Sequence, residues 1–282
     1  MGWIWLPQLI GSRQISCNKM KLLTPTQLGT LTDWFLPEQP GPFIGSHVLQ
    51  TGHGAGWADR WPQPRALLIE SSNNYALLGA ATALNPTDLH GLIQGMVAAS
   101  LDFKPLLQLA FPDLLRWDRV IYTLADAPTF TVPTATTVRR LTALDAYHLW
   151  GLLPESRWIV KTWGGAAGLA GSGCVWGGFV NGRLASVACT FFMGYDYEEI
   201  GVITETEFRG RGLSGACAGA LCQDIQARGK RPSWTTSPDY IPSQRVAEKL
   251  GFTLHRQDVL YVINSFIPEP PQLLYKSGRK PS

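Results

Sequence analysis

The spacing of apolar and polar positions assigns much of the chain before any residue chemistry is considered. Residues 65–69 and 75–78 flank the polar run Ser71-Ser72-Asn73-Asn74, which predicts a hairpin. Behind Pro86, Leu89, Leu92, Ile93, Met96 and Val97 recur three and four apart, which predicts a helix over 87–100. A short strand is expected at 119–124. Beyond it, 138–141 reads as a strand, 144–153 and 155–163 as helices, and the Gly- and Ala-rich 164–173 as a mobile loop. Residues 174–180 and 184–192 flank Asn181-Gly182, a strong signal for a type I′ hairpin. A strand at 198–204 is followed by a helix at 213–228, whose Leu213, Ala216, Cys217, Ala220, Leu221 and Ile225 share one face. A strand at 232–237, a short helix at 243–250 and one or two strands over 253–263 complete the pattern. Pro268, Pro270 and Pro271 begin a tail.

Between these blocks, residues 127–137 hold five Thr and two Pro in eleven positions and read as an extended linker. The expected organisation is an N-terminal α+β domain over 20–126, the linker, and a second domain over 138–264. No internal repeat is visible, although two remote copies of one fold would fit halves of this size.

Composition narrows the class. The 282 residues are 45% apolar and 16% charged, which excludes a disordered chain. A net charge of +3 is too mild for a nucleic-acid partner. Cys17, Cys174, Cys189, Cys217 and Cys222 show no zinc-ligand spacing and are odd in number, so reduced, buried thiols in a cytoplasmic protein are expected. The apolar stretch 2–10 has no basic residues before it and is interrupted by Pro7, which argues against a secretory signal. Leu6 stands where N-myristoylation of Gly2 would need Ser or Thr, and residues 1–19 read as a leader extension or an upstream start. No apolar run reaches the length of a membrane span. His47, His53, His90, His148 and His255 show no ligand spacing, so no metal is expected.

The chemistry concentrates at Arg209-Gly210-Arg211-Gly212-Leu213-Ser214-Gly215, between a predicted strand and a predicted helix. A helix start presents unpaired amides to an anion, and the glycines allow close approach of a phosphate. Gly210, Gly212 and Gly215 satisfy the dinucleotide pattern G-x-G-x-x-G, with Asp239 downstream, which is the reading of an NAD(P)-binding Rossmann oxidoreductase. Against it, Glu205-Thr206-Glu207-Phe208-Arg209 separates the strand from the first glycine, and too little chain follows for a doubly wound sheet. Arg209, Gly212 and Ser214 also satisfy R-x-x-G-x-G/A, with Ser in the last small position.

With the strand at 198–204 and the run Ser243-Gln244-Arg245-Val246-Ala247-Glu248-Lys249-Leu250-Gly251-Phe252, this region resembles the GNAT family of N-acetyltransferases. The resemblance covers about 138–264. The whole layout is most similar to two-domain GNAT acetyltransferases that include the zwittermicin-resistance type, and less so to glycine N-acyltransferases. It implies an α+β fold with a mixed sheet in the C-terminal half and a diverged α+β N-terminal half, for which a GNAT-like fold is one reading. It further implies direct transfer of acetyl from acetyl-CoA to a small-molecule amine, with no metal, no nucleic acid, no membrane, and a homodimer as one possible assembly. On the matching positions, Arg209, Gly210, Arg211, Gly212, Leu213 and Ser214 would hold the pyrophosphate. Val202, Ile203 and Thr204 would line the pantetheine arm, with an amide near Ile203 polarising the thioester, and Ser243 would complete the donor site. Glu198 or Glu199 would be the base, and only one of the two can face the cleft. Where the family carries a general-acid Tyr, this chain has Ala247. Tyr240 is the substitute at hand. The missing Tyr leaves a non-catalytic CoA-binding module as an alternative. The loop 164–173 would act as a lid, and Trp158, Trp163, Trp176 and Trp234 could wall an acceptor cleft.

Overall fold

The computed structural model describes residues 20–268. The apolar stretch 2–10, the Gly2 site, Cys17, the leader reading of 1–19 and the tail prolines Pro270 and Pro271 lie outside the described residues. The first half contributes β1 (Lys21–Leu22), α1 (Pro25–Gly29), α2 (Ile44–Thr51), β2 (Ala55–Ala58), β3 (Ala66–Ser71), β4 (Asn74–Gly79), β5 (Gly95–Ala99), α3 (Lys104–Ala110) and β6 (Leu115–Thr123). The second contributes β7 (Thr136–Arg140), α4 (Ala146–Trp150), α5 (Ala166–Gly171), β8 (Val175–Val180), β9 (Arg183–Met193), β10 (Tyr197–Thr204), α6 (Leu213–Ala227), β11 (Arg231–Thr236), α7 (Ile241–Leu250) and β12 (Thr253–Ile263).

The twelve strands form one mixed sheet in the order β1-β2-β3-β4-β5-β12-β6-β11-β10-β9-β8-β7. Read inward from either edge, the halves repeat a pattern. Antiparallel strands lead to a parallel pair, β4 with β5 in the first half and β10 with β11 in the second. The last strand of each half is then exchanged: β12 pairs with β5, and β6 pairs with β11. The exchanged strands pair with each other along nine positions. This α+β sheet is not doubly wound, because its remaining neighbours are antiparallel.

Both predicted hairpins form. Ser72 and Asn73 at one turn, and Asn181 and Gly182 at the other, all take positive φ, as a two-residue turn of matching twist requires. The expected helix over 87–100 does not form. Pro86–Leu89 is a single 3₁₀ turn and β5 follows. Gly91 and Gly95 take positive φ, and a Cβ on Gly95 would lie 2.1 Å from the Asn73 carbonyl, so the chain here runs against β4 rather than coiling. The predicted helix at 155–163 is a 3₁₀ helix, Pro154–Trp163, and that at 144–153 shrinks to a 3₁₀ turn, Ala143–Asp145, and α4.

The loop expected at 164–173 is also corrected. Gly164, at φ 70°, ends the 3₁₀ helix, and Ala166, Leu169 and Ala170 then bury one face of α5 in the core. Alanine-rich sequence forms helix readily once it has an apolar surface to cover. The same core holds Ile159, Trp163, Val187 and Ile203. On the other face of the sheet, α6 packs Cys217, Ala218, Leu221, Cys222 and Ile225 against Ile200 and Trp234.

Candidate active site

The site is built where β10 and β11 part. They pair in parallel at Tyr197–Arg231, Glu198–Pro232 and Glu199–Ser233, and no further. Val202, Ile203 and Thr204 therefore keep one edge without a strand partner, while their other edge pairs with Ala188, Val187 and Ser186 of β9. The Ser186 hydroxyl ties this pairing down, donating to the Ile203 carbonyl at 2.7 Å and lying 2.8 Å from Thr204 Oγ1.

Below the opening, the chain leaves β10 through a 3₁₀ turn at Thr206–Phe208 and reaches α6. Gly210 and Gly212 take φ of 75° and 80°, and Gly212 caps α6 without a side-chain hydrogen bond. A Cβ on Gly210 or Gly215 would meet nothing within 4 Å, so the first turn of the helix is uncovered on that side. Leu213 is buried with Phe208 and Ala185 and anchors the turn, while Ser214 is half-buried. Arg209 Nε donates to the Thr204 carbonyl at 3.1 Å, and Arg211 Nη2 to that of Glu207 at 3.2 Å. Two cations beside a positive helix end are unfavourable on their own and suit an anionic ligand.

The two adjacent glutamates separate as strand geometry requires. Glu198 points to the α6 side and is fully buried. Its Oε2 accepts from Arg228 Nη2 at 2.7 Å and from the Thr190 hydroxyl, and its Oε1 lies 3.6 Å from Lys230 Nζ. It is spent on an internal ion-pair network. Glu199 lies on the opposite face beside Ser233. Burial pushes its carboxyl up to about 7, against the opposing pull of the Thr235 hydroxyl, Arg119 and Arg256, with Asp258 adding to the rise.

Tyr240 stands at the N-cap of α7, near enough to Arg209 to feel its charge; burial nevertheless raises its phenol, so it is protonated at neutral pH. The Ser243 hydroxyl accepts from the Trp234 indole at 3.0 Å. Of the four tryptophans expected to wall a cleft, Trp163 and Trp234 are buried in the two cores and Trp176 packs on the α6 side. Only Trp158 is exposed, edge-on to Phe191 with 5.3 Å between ring centroids.

Sequence reasoning missed the residues opposite Glu199. Ser233 and Thr235 of β11 and Arg119 of β6 share its face. The alternation of small polar residues with Trp234 was the available signal for β11. For Arg119 no sequence signal existed, because its place depends on the strand exchange.

A GNAT acetyltransferase family model matches residues 132–261. An uncharacterized N-acetyltransferase from the mutA 5′ region of Streptomyces virginiae is 38% identical over 209 residues, covering 73% of this chain and 88% of that protein. This chain belongs to the GNAT acetyltransferase family. It is an N-acetyltransferase. The GNAT fold extends over both halves. A GCN5-related N-acetyltransferase-like protein of Streptococcus suis aligns over 84% of this chain and 98% of its own, with a TM-score of 0.63 at 20% identity. A tandem GNAT protein from the clavulanic acid biosynthesis pathway aligns over 86% and 97%, with a TM-score of 0.55 at 12% identity. The GNAT assignment sets aside the dinucleotide reading of Gly210, Gly212 and Gly215. It also sets aside the non-catalytic module. Among the described residues no group of three His, Cys, Asp or Glu side chains could hold a metal, and no helix is long and apolar enough to cross a membrane.

Proposed function

We propose that the protein transfers the acetyl group of acetyl-CoA to the amine of a small molecule by direct transfer in a ternary complex, with Glu199 as the base. The observation that carries this is the opening between β10 and β11: an uncovered glycine turn lies at one end and a buried carboxyl at about 7 at the other. The turn fits a pyrophosphate, since Gly210 and Gly215 leave open space and Arg209 and Arg211 add charge. Arg209 to Ser214 would hold that group, and the free edge of Val202, Ile203 and Thr204 would pair with the arm. Acetyl-CoA, when bound, supplies an acetyl group activated as a thioester.

The remaining chemistry belongs to the chain. An amine attacks only when neutral, so its proton must leave. Glu199, half ionised near pH 7, accepts that proton on the face away from α6. Tyr240, kept protonated, is the candidate to return a proton to the departing sulfur. Acetyl-CoA binding by calorimetry or thermal shift tests the donor: saturation at about 100 times Kd adds roughly 2.7 kcal/mol of stability, and no shift at millimolar acetyl-CoA overturns the reading. Thiol release across a panel of small amines identifies the acceptor. Glu199→Gln is expected to lower turnover at pH 7 by about 10²-fold or more while leaving acetyl-CoA affinity unchanged. Full turnover in that variant removes Glu199 as the base.

A further inference from the structure

Three buried polar atoms on one face of the sheet have no hydrogen-bond partner: Glu199 Oε2, Ser233 Oγ and Arg119 Nε. They sit on three neighbouring strands. Glu199 of β10 is in register with Ser233 of β11, Thr235 is in register with Ile121 of β6, and Arg119 follows Ile121 in the same alternation. Buried polar atoms are normally satisfied, and an unpartnered one costs about 1–3 kcal/mol. Three together mark a place shaped by something other than packing.

Arg119 is the fixed charge in this row. Its guanidinium carbon lies 4.0 Å from the centroid of the Trp117 ring, and its Nη1 donates to Ser237 Oγ at 3.0 Å. The Trp117 indole donates to the same hydroxyl at 3.2 Å, which locks the stack. Asp258 of β12 is in register with Arg119, but its carboxylate is bonded to Arg256 Nη2 at 2.9 Å. Arg256 also donates to the Pro40 carbonyl. Glu38 accepts from the Ser46 hydroxyl and the Asp196 amide. None of the ion pairs formed among the described residues uses Arg119.

We infer that Arg119, supplied by the first half of the chain, is a positioning residue for Glu199: its fixed guanidinium favours the ionised carboxylate, and Asp258 opposes it. This rests on Glu199 being the base. The charges that face Glu199 are Arg119 from β6 and Arg256 and Asp258 from β12, with the Thr235 hydroxyl from β11. Both arginines hold the carboxyl down and Asp258 pushes it up, so removing Arg119 and removing Asp258 must move it in opposite directions. Arg119 also feels Asp239; burial lowers its own guanidinium to about 10, which leaves it charged at neutral pH. The exchange of strands therefore has a chemical consequence. Glu199 sits on β10 of the second half and burial raises its carboxyl first, but the charges that then adjust it come from a strand of the first half and from the returning last strand.

The test reads the carboxyl directly. In protein labelled with carboxyl-¹³C glutamate, the Glu199 resonance is the one absent from Glu199→Gln, and its titration is followed with no ligand present. The wild-type midpoint is expected near 7, rising by about one unit in Arg119→Gln and falling in Asp258→Asn, with Arg119→Lys close to wild type. With acetyl-CoA and the amine turned over fastest in the panel, the acid limb of kcat should follow the same order. Arg119→Gln then loses about fivefold at pH 7 and recovers by pH 9, with acetyl-CoA affinity unchanged. A merely structural role for Arg119 would lower activity equally at all pH values. A Glu199 midpoint unmoved by Arg119→Gln, or moved in the same direction by Asp258→Asn, overturns the inference; if Arg119→Gln does not fold, Arg119→Lys and Asp258→Asn carry the test. Full turnover in Glu199→Gln would instead remove the base assignment while leaving the charge coupling measurable.

Discussion

His47 and Glu199 are both held far from the protonation behaviour of their residue types in water, and their effects on folding oppose each other. His47, on α2, is fully buried. Its Nε2 donates to the Thr162 carbonyl at 2.8 Å and its Nδ1 accepts from the Met193 amide at 3.1 Å, so the ring is a neutral clamp between the halves. Burial lowers it from 6.5 to about 4. A group lowered on folding contributes stability that is full above 6.5 and is lost as pH falls toward 4, here about 3 kcal/mol. Glu199 runs the other way. Raised from 4.5 to about 7, it contributes most below 4.5 and loses that contribution as pH rises through 7, again about 3 kcal/mol. Urea unfolding of the wild type between pH 4.5 and 6.5 should therefore show a shallow dependence from this pair. In Glu199→Gln, stability should instead rise with pH across the window; in His47→Gln it should fall. A Glu199→Gln protein with the wild-type slope would contradict the value at Glu199. Which glutamate lies under α6 was half legible in the sequence. Adjacent residues on a strand had to take opposite faces, but the side covered by α6 is a tertiary fact.

Apolar spacing predicts burial more reliably than it predicts element type. Leu89, Ile93 and Val97, four apart, are all buried in one core, as a helical stripe over 87–100 would have them. They reach it through a 3₁₀ turn and a strand, because Gly91 and Gly95 stop the coil. This segment joins β4 to β5, and α6 joins the corresponding pair β10 and β11. Only the second half has an α-helix, and a glycine turn before it, at this crossover. Hairpins and α6 were legible because their signals are local: positive-φ residues in a turn, a small-residue face on a helix. The 3₁₀ stretch at Pro154–Trp163 was not, since it shares its apolar spacing with an α-helix. The glycine turn gives an element-scale prediction. Gly212→Ala puts a Cβ on a residue at φ 80° and should cost about 1–2 kcal/mol in urea unfolding. Gly215 lies inside α6 with nothing within 4 Å of a Cβ, so Gly215→Ala should stabilise the free protein by about 0.5–1 kcal/mol. On the proposed donor site the Gly215 methyl group would stand in the open space at the helix start, so acetyl-CoA affinity should fall in Gly215→Ala, whereas a Cβ on Gly212 would meet Pro133 at 3.6 Å instead. Unchanged affinity in Gly215→Ala would mean that the donor does not approach the helix start from that side.

The linker at 127–137 reads as a boundary along the chain, but the sheet runs across it. β6 precedes the linker and lies between β12 and β11; β12 ends the second half and lies between β5 and β6. A cut at the linker would leave β6 without either neighbour and expose edges of β5 and β11, and unpaired strand edges are costly and prone to association. The low charged fraction fits this arrangement, since one long sheet with apolar clusters on both faces leaves less surface to charge. We expect the halves to unfold together. Leu68→Ala opens a cavity in the first-half cluster and Leu221→Ala one under α6, each at a cost of about 2–5 kcal/mol. Calorimetry should show a single transition in the wild type and in both variants, lowered in each and with equal calorimetric and van't Hoff enthalpies. Independent halves would give two transitions, with each substitution moving only its own. That outcome would show that the nine-position pairing of β6 with β12 does not couple the halves, and that Glu199 on β10 does not depend on the first half for its stability.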